Sequence, residues 1–130
     1  MIKVFNIKDE DFSNEEGYFY IGRSRQGNPL GNPFTHDGKK SSIARLSFPT
    51  REEAINAFEM YFDQMYGKNN DLTRAFDEIY DKYKNGEDIY LGCYCKPLPC
   101  HGDIIAKKLQ EKLVKEKLME MKNKKNERPK

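Results

Sequence analysis

The spacing of apolar residues changes several times along the chain, and each change marks an element. Ile2, Val4, Phe5 and Ile7 form a short apolar run closed by Lys8-Asp9-Glu10-Asp11, which predicts a first strand near residues 2–7 and then a turn. Gly17-Tyr18-Phe19-Tyr20-Ile21-Gly22 is a β-favouring aromatic run bounded by glycines, a second strand that leads directly into Arg23. From Arg23 to Ser42 there is no helical period. Gly27, Pro29, Gly31, Pro33 and Gly38 punctuate what reads as one long shaped loop. Thr50 followed by Glu53 is a capping box, and Ile55, Phe58, Phe62 and Met65 then recur at helical spacing until Gly67. Leu72, Phe76, Ile79 and Tyr83 predict a second helix from Asp71, stopped by Asn85-Gly86 and packed against the first.

The period then switches to two. Ile89, Leu91, Cys93 and Cys95 alternate with Tyr90, Gly92 and Tyr94, a strand near 88–95 that ends at Lys96-Pro97. After Pro99-Cys100-His101-Gly102, the residues Ile105, Leu109, Leu113 and Leu118 mark a last helix running into KNKKNERPK. The expected fold is α/β: a single domain over residues 1–121 with a small sheet, helices packed against it, and a basic, disordered tail over 122–130.

Composition narrows the setting. A 130-residue chain that is 37% hydrophobic fills one core and not two, and its eight Tyr and eight Phe supply much of the buried surface. No apolar run is long enough to span a bilayer, and the start turns acidic where a signal peptide would be apolar, so the expectation is a soluble, cytoplasmic protein without a membrane partner. Three cysteines crowded between Cys93 and Cys100 suit a reducing compartment better than a disulfide framework. The net charge of +2 is uneven: Lys107 to Lys130 holds ten Lys or Arg against four Glu, leaving the preceding body mildly acidic. Such a tail keeps a helix soluble or contacts nucleic acid.

Two segments carry candidate chemistry. In Gly22 to Phe34, Arg23 and Arg25 have the planar guanidinium suited to clamping a phosphate or carboxylate, while Gly22, Gly31 and Asn32 offer backbone and amide donors. Phe34 reads either as a stacking residue or as a plug for the core. In Cys93 to Asp103, three readings compete. Gly102 and Asp103 open a helix whose free N–H groups and dipole would cradle an anion. Cys100 would be a nucleophile with its pKa lowered by the helix start and by His101, which could change charge near neutrality. Cys93, Cys95, Cys100 and His101 have the ligand types for zinc, but their C-x-C-x4-C-H spacing is poor for it, and no cofactor is assigned. Against all three, Cys93 and Cys95 read as small buried strand residues, and Cys100-His101 as an ordinary capped helix start.

Taken together, YIGR ending at Arg23, GNPLGNPF ending at Phe34, the REEAINAF helix and LGCYCKPLPCHGD ending at Asp103 resemble a domain family of unknown function from phages and bacteria. Its members share a GR…GNPF loop and a C-x-C-x-P-x-x-C-H-G-D segment, and the similarity runs from about residue 18 to 110. The resemblance implies that the two loops belong to one site in a phage-associated protein; it implies no activity, and it does not cover the chain beyond Leu113. The expected function is recognition of a small phosphate-bearing, nucleotide-like molecule, such as a phage protein sequestering a host signalling nucleotide in counter-defence. The alternatives are a thiol- or His-dependent enzyme on nucleotides or nucleosides, and a zinc-containing accessory protein that holds nucleic acid through its tail.

Overall fold

A computed structural model describes residues 1–23, 27–35 and 46–126. Three strands, β1 (Ile2–Asn6), β2 (Tyr18–Tyr20) and β5 (Ile89–Cys93), form an all-parallel sheet in the order β1-β5-β2. Between β2 and β5 the chain makes a short parallel pair, β3 (Phe34–Thr35) with β4 (Leu46–Ser47), and two helices, α1 (Arg51–Met65) and α2 (Asp71–Lys84). A long helix, α3 (His101–Asn126), follows β5. The class is the α/β fold that the alternation of periods predicts, and the paired β3 and β4 add order to the region expected to be one long loop.

Alternation decides what each face of the sheet buries. Ile89, Leu91 and Cys93 of the central strand are buried among Phe58, Phe62, Phe76, Ile79, Ile105 and Leu109 of the helices. The opposite face carries Phe5, Tyr18 and Tyr90, covered by the segment between β1 and β2: Phe12 stacks on Tyr90 with centroids 4.5 Å apart and meets Phe5 edge to face at 4.9 Å. Gly92 belongs to this second face, where a Cβ would lie 2.7 Å from Ile7 Cγ2, so no larger residue fits under the cover.

Local chemistry fixes the helix ends. Thr50 caps α1 by accepting from Glu53 N–H at 3.1 Å, and Asn70 caps α2 by accepting from Thr73 N–H at 2.8 Å. At the end of α2, Gly86 N–H donates to Tyr83 O at 3.0 Å and Glu87 N–H to Lys82 O at 3.1 Å, a Schellman motif that needs Gly86 at φ +90°. The two helices interlock through Phe62, Tyr66 and Phe76, and Tyr66 Oη donates to Asp77 at 2.5 Å. Residues 122–126, expected within a disordered tail, are helical, because α3 continues past Leu118 to Asn126. Beyond Leu113 this helix is exposed at Val114, Leu118, Met119 and Met121, and it is anchored to α2 by Tyr80 Oη donating to Glu116 at 2.6 Å. No described helix is long and apolar enough to cross a membrane.

Candidate functional site

With every strand of the main sheet parallel, the segments that leave β2 and β5 emerge at the same carboxyl edge, the edge where ligands settle in open α/β sheets. The chain after β1 joins them there, since Ile7 N–H donates to Cys93 O at 2.9 Å and Asn6 Nδ2 donates to Tyr94 O and Lys96 O at 3.1 and 3.0 Å. Asn6 thereby fixes the turn after β5, which includes a cis Lys96–Pro97 peptide.

His101 ties the two motifs together. The first residue of α3, it is buried, with its Nε2 2.5 Å from Ile21 O. Facing a carbonyl, that nitrogen carries the proton and donates. Burial holds the imidazole at about 4, below its ordinary range, with the Arg23 charge pushing the same way, while the Ile21 and Leu30 backbones act in the opposite sense. His101 is therefore neutral near pH 7, and the expectation that it changes charge there is corrected: desolvation wins.

The Gly22–Phe34 motif is held by its own members. Asn28 Nδ2 donates to Tyr20 O at 2.8 Å and to Gly22 O at 2.9 Å, and its Oδ1 accepts from Leu30 N–H at 3.1 Å. Gly22 lies under the Tyr20 ring, with 2.3 Å between a notional Cβ and Tyr20 Oη. Gly31 passes so close to the loop's start that a Cβ would meet Gly22 O at 3.1 Å and Arg23 Cα at 3.3 Å. Asn32 is buried, donating to Ala54 O at 3.4 Å and accepting from Phe34 N–H at 2.9 Å. Arg23 reaches back across the loop, its Nη1 donating to Phe34 O at 3.1 Å. Phe34 meets Phe48 and Tyr61 edge to face, with centroids 5.5 and 6.0 Å away, in the packing role. Arg25 lies outside the described residues.

The second motif is a helix start built on thiols. Asp103 accepts from Cys100 N–H at 3.1 Å and from Lys96 Nζ at 2.5 Å, closing the reciprocal half of a capping box. Gly102 is buried, and a Cβ there would lie 2.8 Å from both Ile21 Cδ1 and Val4 Cγ1; the space it leaves is filled by the sheet rather than open to a ligand. Cys93 and Cys100 bring their sulfurs within 3.5 Å. Donation to Cys93 and Cys95, together with burial, raises the Cys100 thiol well above its ordinary range, whereas Cys93 and Cys95 are both lowered, first by the Cys100 hydrogen bond and further by Lys96 for Cys93 and Arg51 for Cys95. Cys100 thus holds a proton instead of giving it up, and with neutral His101 turned to Ile21 O the Cys100–His101 nucleophile pair is not assembled. The same turn of His101 takes it out of a four-ligand zinc set, and no group of three or more His, Cys, Asp or Glu among the described residues could hold a metal ion.

Several groups at this edge escaped the sequence reading. Tyr94, just beyond β5, is 54% exposed, meets Tyr20 edge to face at 6.0 Å and has Lys8 Nζ 5.6 Å from its ring centroid. Tyr20 Oη donates to Arg23 O at 2.9 Å. Arg51, at the start of α1, donates to Pro99 O at 3.3 Å beside Cys95. The parity of β5 does set Tyr94 opposite Cys95, but only the parallel order brings Lys8, Tyr20 and Tyr94 to one corner.

The profile of the family described as "Domain of unknown function (DUF4326)" matches residues 5–111. The chain belongs to this family. The match runs from the last residues of β1 through most of the packed part of α3, so both motifs, Lys8 and Tyr94 lie within the family domain, and the exposed end of α3 lies outside it. The chain is also 42% identical over 57 residues to the "Uncharacterized 12.4 kDa protein in nrdA-td intergenic region" of Enterobacteria phage T4, an alignment covering 44% of this chain and 46% of that protein. The match thus spans about half of that relative's length. No solved structure matches the chain.

Proposed function

We propose that the protein binds a small phosphate-bearing, nucleotide-like molecule at the carboxyl edge of its parallel sheet. One observation carries this reading: an exposed aromatic ring, Tyr94, is braced by Tyr20 and flanked by the Lys8 ammonium where the segments after β1, β2 and β5 meet. A ring exposed at a rigid edge offers a face for a base, and a neighbouring cation offers a partner for phosphate. Arg23 adds positive charge to the same edge while its Nη1 braces the loop. In this reading the bound molecule is a signalling nucleotide of the host, which the protein withholds. In this reading Asn28, Asn32, Gly22, Gly31 and Gly102 build the edge and do not touch the ligand.

Calorimetric titration of the full chain with nucleoside mono-, di- and triphosphates and cyclic nucleotides tests this. Tyr94→Ala and Lys8→Gln alter exposed side chains, so each should leave the fold intact and weaken binding by roughly tenfold, the scale of one stacking or charged contact. Absence of binding across the whole panel by the folded protein would reject the proposal.

A further inference from the structure

The end of β5 and the start of α3 meet through their thiols. Cys93 is the last residue of β5 and Cys100 the residue before α3; both are buried in the core, and their sulfurs stand 3.5 Å apart. Bonded sulfurs stand about 2 Å apart, so a shift of about 1.5 Å separates this dithiol from a disulfide. The chain that joins the two is the turn 94–99, exposed at Tyr94, Pro97, Leu98 and Pro99. Few bonds hold it: Asn6 Nδ2 donates to Tyr94 O at 3.1 Å and to Lys96 O at 3.0 Å, Arg51 donates to Pro99 O at 3.3 Å, and within the turn Leu98 N–H donates to Cys95 O at 2.9 Å. A surface turn so held opens locally more readily than the core it borders, and its lifting is the shortest way for a small solute to reach the two sulfurs.

We propose that Cys93 and Cys100 are a reversible redox pair, oxidised by hydrogen peroxide to an intramolecular disulfide when the turn between them opens. In the first step the Cys93 thiolate attacks one peroxide oxygen, the O–O bond breaks, and hydroxide leaves and is protonated by solvent; Cys93 becomes a sulfenic acid and the peroxide is reduced. In the second, Cys100 loses its proton, its sulfur attacks Cys93 Sγ, the S–O bond breaks, and the departing hydroxide takes up a proton and leaves as water. The order of the steps follows the hydrogen bond between the sulfurs, which holds Cys93 below the ordinary thiol range and Cys100, also pushed up by burial, above it. Once Cys93 is a neutral sulfenic acid that hold is released, and the helix start favours the Cys100 thiolate. Cys95, partly exposed in the turn, takes no part. The disulfide closes the turn 94–99 into a ring that includes Tyr94, so the carboxyl edge carries a redox state whether or not a ligand binds there.

The test treats the reduced full chain with hydrogen peroxide in native buffer and reads intact mass, non-reducing peptide maps and urea unfolding. Wild type should lose two hydrogens, show a Cys93–Cys100 link reversed by dithiothreitol, and unfold at a higher urea midpoint than the reduced protein, because the bond joins sulfurs already in contact. Cys95→Ser, changed at a partly exposed position, should form the same link at an unchanged rate. Asn6→Ala, which frees the turn without touching a thiol, should speed the reaction about tenfold through more frequent opening. Thiols that stay reduced in the folded protein, a link that includes Cys95, links only between chains, a urea midpoint lowered by oxidation, or an Asn6→Ala rate equal to wild type would each overturn the proposal.

Discussion

Replacing His101 by glutamine probes the contact that joins the two motifs. His101 donates Nε2–H to Ile21 O at 2.5 Å and packs edge to face on Phe58 at 5.1 Å, both inside the core. Removing the imidazole leaves a buried carbonyl to be satisfied by an amide of different reach and loses part of the ring packing; an unsatisfied buried acceptor costs about 1–3 kcal/mol, so a loss of about 2 kcal/mol at pH 7 is expected. The pH dependence is the sharper signature. The imidazole sits at about 4 in the folded chain, against an ordinary 6.5. Because the folded value is the lower one, the unfolded state binds more protons, so this contribution is complete above pH 6.5 and is lost as pH falls from there through about 4. The linkage is worth about 1.4 kcal/mol per pH unit inside that window, about 3 kcal/mol in all. Urea unfolding at pH 7, 5.5 and 4.5 measures it. The difference between wild type and His101→Gln cancels the acid sensitivity of Glu59 and Glu116, whose carboxyls ion pairs and hydrogen bonds hold low in both proteins. That difference should fall by about 2.5 kcal/mol between pH 7 and 4.5, so that at pH 4.5 the variant is as stable as wild type or slightly more stable. A difference independent of pH, or an imidazole that titrates above 6 by NMR, would refute the argument.

Other perturbations follow from the same geometry. Gly102→Ala adds a methyl group 2.8 Å from Val4 and Ile21 and should lower stability by about 1–2 kcal/mol in urea unfolding, whereas a glycine kept open for an anion would lose binding alone. Asn28→Ala removes three loop hydrogen bonds and should lower stability by about 2–3 kcal/mol, with Ile21 and Leu30 amides gaining hydrogen exchange. Deleting residues 122–130 removes the end of α3, exposed at 122–124, and the basic residues that follow it; nucleotide affinity should stay within about twofold, and a tenfold loss, about 1.4 kcal/mol, would place those basic residues in the site.

What could be read from the sequence is what local rules govern. The alternation of Ile89, Leu91 and Cys93 named the buried face of β5, and Thr50, Asn85 and Gly86 marked helix ends, because each acts on atoms a few residues away. The identity of the two motifs was equally legible, but their chemistry was not. Arg23, Asn32 and Gly102 are residue types suited to anions, and here they meet backbone carbonyls and core side chains instead. Nothing local reveals that His101 bonds a carbonyl 80 residues earlier, or that Arg51 reaches Pro99 O, since both depend on strand order. Tyr94 and Lys8 looked like ordinary strand-end residues for the same reason. The helical stretch 122–126 was missed because it has no apolar stripe, and helix continues there from the anchored part of α3.

The most direct test of the carboxyl-edge account is an NMR titration of the 15N-labelled full chain with the nucleotide panel, read residue by residue. The account predicts saturable shifts centred on Lys8, Tyr20, Arg23 and Tyr94, abolished in Tyr94→Ala, with little change along α3 beyond Leu113. Shifts confined to the lysines of α3, or none for any nucleotide in the panel, would contradict it.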